Sequence, residues 1–350
     1  VKKEPKLERR AYTMKSTKKF ALVLAVMMIM VAMASAASAA EINLRFAGQF
    51  PPDHTATGFM KEVAKEVAAK SNGRIEIKIF PANQLGDYTL VYEELIRGTI
   101  DMALISVPSQ FDPRMELVYI NGFVTGYDGI KKAFQPNGWM AKKMDEFHTR
   151  LGVKFLGFNV EGMIGIGSTK PVREPLDPTV NKGVLTRVPF MDVYKTGVEA
   201  MGYKTISLPY ADIFQAMQTG VCDAVSSIPP ALAYTVLKDA MKYWYQTNYS
   251  LENESYLMSQ KTWSKLKPAD QKIIFDAVTK VAAKSIDQAK KDDARYMDLM
   301  RKKGIKVYTY TDKELAPIQA AISKSWVKLE ANMGKDLMDE FRKQFAPKSK

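Results

Sequence analysis

A single cysteine, Cys222, occurs in the 350 residues, which excludes any disulfide within the chain. Its setting, Val221-Cys222-Asp223-Ala224-Val225, is an apolar strand pattern and marks a buried, inert thiol rather than a nucleophile. Histidine is nearly as scarce, with only His54 and His148. No HExxH, paired cysteine or histidine cluster is present, so the sequence offers no metal site and calls for no cofactor. Gly165-Ile166-Gly167-Ser168 lacks the G-x-S-x-G order of a nucleophile elbow, and no histidine base accompanies it. Gly162 to Gly167 is no dinucleotide loop, because the third glycine and the following helix are missing. Beyond residue 39 no Lys/Arg run exceeds three residues and basic residues do not interleave with aromatics, which argues against nucleic acid as a partner. The longest apolar run, Phe20 to Met33, is about fourteen residues, short of the roughly twenty that span a bilayer.

That run has another use. Met14 opens a basic start, the apolar run follows, and small residues lead to Ala37-Ser38-Ala39, the three-part pattern of a secretory signal. Residues 1–39 therefore divide into an over-extended start, Val1 to Thr13, and a signal peptide, Met14 to Ala39. No cysteine follows the run, which disfavours a lipid anchor. A secreted, disulfide-free protein of this size fits a bacterial periplasm. The net charge falls from +13 to +7 once the eight Lys/Arg and two Glu of residues 1–39 are set aside. The remaining excess is scattered and suits the attraction of anions.

Ile42, Leu44 and Phe46 alternate as a half-buried strand. A helix with Phe59, Val63 and Val67 follows, then the alternating strand Ile75, Ile77 and Ile79, a helix from Leu90 to Arg97, and a short apolar strand from Ile100 to Ile105. Residues 183–225 repeat that order, with strands at Leu185 to Pro189, Thr205 to Leu208 and Val221 to Val225. In both halves Gly-x-x-Asp opens the last strand, as Gly98/Asp101 and Gly220/Asp223. Two similar α/β lobes with doubly wound sheets follow from this pattern. Lys154 to Phe158 and Glu254 to Ser259 read as strands passing between lobes, Pro268 to Met300 as a long helix, and Asp312 to Phe345 as an amphipathic helical tail. The expected division is 40–163 with 252–290 as one lobe and 164–251 with 291–350 as the other.

Arg187 stands in the middle of an apolar strand, between Leu185 and Val188-Pro189. A semi-buried guanidinium needs an anionic partner. The residues alone leave open whether that partner is an acid from another segment or a ligand carboxylate. Phe190 and the pair Ser226-Ser227 end strands, where ligands of open α/β sheets bind, although the two serines could equally cap the helix at Pro229-Pro230. Phe214 could line a cleft or belong to the core. His54 could cap a helix or touch a ligand, and His148 sits on a polar helix that reads as exposed. The candidate ligand contacts are Arg187, Phe190, Ser226, Ser227, His54, Glu161, Phe214 and Asn159.

Four segments, in this order, resemble the DctP-type solute-binding proteins of tripartite ATP-independent periplasmic (TRAP) transporters. They are Gly73-Arg74-Ile75-Glu76-Ile77 through Phe80-Pro81 and Gln84-Leu85-Gly86, then LIRGTIDM at Leu95 to Met102, Gly183 to Pro189, and QAMQTGVCD at Gln215 to Asp223. The resemblance implies a two-lobe periplasmic-binding-protein fold of type II and a receptor, not an enzyme. It would capture a small organic acid and deliver it to the small and large membrane subunits. In the family the arginine matching Arg187 grips the ligand carboxylate. Two departures stand out. Met163, Ile164 and Ile166 occupy the stretch where many members carry a second arginine, and Ser226-Ser227 replace a common Glu-Asn. Fewer charges point to a monocarboxylate rather than a sialic acid. The rival readings are a ligand receptor for a sensor or an ATP-driven transporter, and a periplasmic hydrolase or isomerase.

Overall fold

The computed structural model describes residues 40–345. The expected signal segment and the residues before it lie outside the described residues. Eleven strands form two sheets. The first contains β1 (Ile42–Gly48), β2 (Ile75–Phe80), β3 (Met102–Ile105), β4 (Val153–Met163) and β10 (Leu251–Ser259), in the order β2-β1-β3-β10-β4. The second contains β5 (Gly165–Ser168), β6 (Leu185–Val188), β7 (Lys204–Ser207), β8 (Ala224–Ile228), β9 (Tyr243–Gln246) and β11 (Lys306–Thr309), in the order β11-β9-β5-β8-β6-β7. β1 pairs in parallel with β2 and β3, and β6 in parallel with β7 and β8. The expected two-lobe α/β architecture is therefore the observed one.

The two halves repeat at atomic detail. Gly98 and Gly220 both end a helix in the left-handed conformation, with φ of 81° and 79°, which a side chain would resist. The aspartate three residues on then caps the neighbouring strand. Asp101 accepts the Arg45 amide of β1 at 2.8 Å, and Asp223 accepts the Leu185 amide of β6 at 2.9 Å. These carboxylates hold the parallel strands in register. They also delay the strands they precede: the third strand of the second half begins at Ala224 rather than Val221, and Cys222 lies buried just before it.

β4 and β10 run antiparallel side by side, from Val153↔Ser259 to Met163↔Leu251. Both lead directly into the second sheet, β4 through Ile164 into β5 and β9 through residues 247–250 into β10. Ile164 donates its amide to Ser250 across this crossing at 2.8 Å. The long helix Pro268–Lys302 packs on β4 and the Thr55–Lys70 helix, and also on the Pro230–Leu237 helix and β11 of the second sheet. In the tail, Asp312–Ser325 packs on the Asp192–Ala200 helix. Lys335–Phe345 instead sets Phe341 and Phe345 against Phe123 and Trp139, so the tail touches elements of both halves.

One local expectation is corrected. His148, on the Trp139–Arg150 helix, is fully buried. Its Nδ1 lies 2.7 Å from the Tyr92 hydroxyl and its ring stacks on Phe155. The helix is covered by the first sheet on one side and by the tail on another, so two of its faces are interior.

Candidate functional site

β6 carries Arg187 between its partners Ile206 of β7 and Val225 of β8. The residue is 3 % exposed. Its Nε donates to the Leu208 carbonyl at 2.9 Å, and among the described residues its side chain has no other hydrogen bond and no ion pair. Burial pushes its pKa down to about 10, with the field of Glu252 acting the other way. It remains a cation at neutral pH. Tyr210 and Tyr88 lie in the same field.

Glu252, on β10, accepts the Tyr194 hydroxyl at 2.9 Å. Burial pushes its pKa up to about 8, and the Tyr194 hydrogen bond and then Arg187 only partly offset this. Glu252 and Arg187 lie in each other's field but form no ion pair among the described residues.

Beyond Glu252 lies a run of further buried acids. Glu161 of β4 is 8 % exposed, and its Oε2 has no hydrogen-bond partner among the described residues. Burial and then Glu252, Asp292 and Asp293 raise its pKa well above the carboxylate range. His54 caps the Thr55–Lys70 helix: its Nδ1 accepts the Ala56 amide at 3.3 Å, and the ring stacks on Phe50. That nitrogen lies 3.7 Å from Glu161. Because it is already an acceptor and burial lowers the imidazole pKa to about 4, the pair is not an ion pair. Asn159 donates to Glu254 at 2.8 Å, while its Oδ1 is left unpartnered. A cavity of ≈ 20 Å³, about the size of one water, lies among His54, Asn159, Glu161, Ser285 and Asp292.

The predicted residues divide into three places. Arg187 shares its electrostatic surroundings with Glu252, Tyr210 and Tyr88. His54 and Asn159 adjoin Glu161. Ser226 and Ser227 lie buried on β8, where the Ser226 hydroxyl meets the Tyr249 hydroxyl and the Ser227 amide donates to it at 3.1 Å. They are not the helix cap, a position held by Pro229 without a side-chain bond. Ser227 has φ of 68°, a strained value for a residue with a side chain. Phe190 follows β6 but is 68 % exposed, and Phe214 packs on the apolar cluster of Ile213, Met217 and Val225. Glu252, Tyr210, Tyr88 and Tyr249 were not singled out in the sequence. Tyr210 carried a signal, because it follows the strand stop Leu208-Pro209. A cavity of ≈ 380 Å³ lies elsewhere, between the outer edge of β4 and its flanking helices.

The family described as bacterial extracellular solute-binding protein, family 7 (DctP), matches residues 46–332. The chain is 23 % identical over 282 residues to the sialic acid-binding periplasmic protein SiaP of Vibrio cholerae, covering 80 % of this chain and 86 % of that one. It is 24 % identical over 304 residues to the C4-dicarboxylate-binding periplasmic protein DctP of Vibrio cholerae, covering 85 % and 90 %. A TRAP periplasmic solute-binding protein from Desulfovibrio salexigens, crystallised with orotic acid, shares the fold at a TM-score of 0.77 and 22 % identity, covering 87 % of this chain and 98 % of that one. The expected family is the observed one: the chain belongs to the DctP family, the bacterial extracellular solute-binding proteins of family 7.

Proposed function

We propose that the protein is a periplasmic receptor of a TRAP transporter that captures a small monocarboxylate and presents it to the membrane subunits. The two lobes are 40–163 with 252–290, and 164–251 with 291–350, joined where β4 and β10 pass between the sheets. The ligand lies between them, and hinge closure over it produces the form the membrane partner recognises. Such a switch requires the ligand to favour the closed state by several kcal/mol. One observation carries the reading: Arg187 is a buried cation with no acidic partner among the described residues. With Nε committed to Leu208, the terminal nitrogens of the planar fork match two carboxylate oxygens. A second strong anion would have no comparable site, since Met163, Ile164 and Ile166 are buried where a second arginine could stand. The relatives named for sialic acid and for C4-dicarboxylates bind acids as well, which supports the class and leaves the compound to this chain's own residues.

Native mass spectrometry of the purified protein, followed by a thermal-shift screen against small organic acids, tests this. Arg187→Ala should lower the affinity for any stabilising acid by about 2–5 kcal/mol, the range for truncating one partner of a buried charge pair. That is roughly 30- to 5,000-fold. Arg187→Lys should also weaken binding, because the fork is lost. Unchanged affinity in Arg187→Ala would sink the assignment.

A further inference from the structure

Among the described residues β4 is an edge strand of the first sheet, with β10 as its one neighbour. The long helix caps its free edge at two points. Val160 donates its amide to Ser285 at 2.9 Å, and Met163 donates to Asp293 at 2.9 Å. From Gly157 to Val160 the register with β10 is unbroken, and backbone groups alternate sides along a strand. The Val160 amide points away from β10, so the N–H and carbonyl of Phe158 point away from it too. Phe158 is 5 % exposed, and among the described residues neither group is bonded to a side chain or loop. Buried backbone groups are nearly always paired, so this residue has an unmet demand for one acceptor and one donor.

Phe158 lines the ≈ 380 Å³ cavity beside β4. An apolar cavity of about 150 Å³ already admits benzene, and ligand sites begin at roughly 300 Å³. The walls are Phe134 and Phe155 on one side and Phe275, Ala282 and Ile286 on the other. The rings of Phe134 and Phe155 each stand 4.7 Å from that of Phe158. Thr279 lines the same cavity, and its buried hydroxyl has no partner among the described residues. At the rim Lys131 is paired with Asp287 at 2.6 Å and Lys154 with Asp145 at 2.7 Å, while Lys142 is exposed to solvent. The interior therefore calls for neutral hydrogen bonds and an apolar body, not for a charge.

An extended residue offers its N–H and carbonyl in one direction. Its complement is a group with an acceptor and a donor on one edge, which a primary amide or a lactam supplies. A ketone lacks the donor, and a carboxylate lacks it and must also shed its hydration. We propose that this cavity is a second ligand site for a small, flat aromatic amide or lactam. Its ring lies among the phenylalanines, its amide edge meets the backbone of Phe158, and the Thr279 hydroxyl takes a further polar contact. Arg187 is not among the lining residues, so the site stands apart from the receptor reading.

The test combines isothermal titration calorimetry with two-dimensional amide NMR of the mature protein. The probes are benzamide and naphthamide, each compared with its methyl ketone and its carboxylate. We expect each amide to bind about tenfold more tightly than its ketone, because losing the donor leaves the Phe158 carbonyl unpaired. The carboxylate should bind no better than the ketone. The resonances of Phe158 and Thr279 should shift, the Phe158 amide proton downfield, and the same shifts should appear in Arg187→Ala. Ala282→Leu, which adds carbon to the cavity wall, should abolish binding. The resonance map of the unaltered protein decides the location even if that variant fails to fold. A ketone or carboxylate that binds as tightly as its amide overturns the proposal. So do shifts centred on Arg187 instead of Phe158, and so does the failure of every probe to bind at its solubility limit.

Discussion

Replacing His148 by glutamine should flatten the protein's loss of stability in mild acid. The imidazole is fully buried against Tyr92 and Phe155. Burial lowers its pKa from 6.5 to about 3. The folded state therefore refuses a proton that the unfolded state accepts below pH 6.5. Stability from this residue is complete above 6.5, declines as pH falls through the unfolded value, and stops declining near 3. At pH 5.0 the unfolded state has gained 1.5 units of protonation free energy, about 2 kcal/mol. For a chain of this length that is roughly 4 °C in Tm. Glutamine can still accept the Tyr92 hydroxyl and never charges. Urea unfolding at pH 7.5 and pH 5.0, for both proteins, gives a double difference in which His54 and the cleft carboxyls cancel. A value of about 2 kcal/mol is expected, with the unaltered protein losing more. Equal losses in the two proteins would show that His148 is accessible to protons in the folded state.

Gly197→Ala should destabilise, although alanine normally favours a helix interior by about 1 kcal/mol. A Cβ there would run into the side chain of the buried Asn121. Overpacking of this kind costs about 1–3 kcal/mol, and a raised Tm in differential scanning calorimetry would refute the close approach. Arg74→Ala should lower the midpoint of chemical denaturation, because it removes the 2.7 Å partner of Asp270, which is 2 % exposed. Adding Asp270→Asn should recover part of that loss, and no recovery would mean that water already serves the carboxylate.

Much of the fold was legible because its determinants are local. The alternation of Ile75, Ile77 and Ile79 and the spacing of Phe59, Val63 and Val67 each declare a buried face. The Gly-x-x-Asp pairs declare a helix end and a strand cap within four residues. Gly165–Ser168, Tyr243–Gln246 and Lys306–Thr309 declared nothing comparable. Four residues cannot display a period, and these strands exist because neighbours in the second sheet complete them. His148 was misread for a related reason. The pattern around it is polar, and its burial comes from residues distant in sequence or on another element, Tyr92 of the Tyr88–Arg97 helix and Phe155 of β4.

The site divides along the same line. Arg187 was legible because a lone guanidinium in an apolar strand is an anomaly at any scale. Glu252 and Glu254 were not, because Leu251-Glu252-Asn253-Glu254-Ser255 looks like the solvent-facing half of an ordinary strand. β10 in fact runs between β3 and β4, so Asn253, Glu254 and Ser255 are wholly enclosed. A polar strand in that position is costly unless its groups are satisfied. Glu254 is met on one side by Asn159, Asn253 bonds the Val118 carbonyl, and Glu252 is met by Tyr194. Glu161 lacks such a partner on one oxygen, and Arg187 has only the Leu208 carbonyl. Asn159 Oδ1, Asn253 Oδ1, one oxygen of Glu254 and the Ser255 hydroxyl are also without partners among the described residues, so the enclosed network is open at several points. Among its members Arg187 alone is a cation, and that made it the one group whose unmet demand could be read from the sequence.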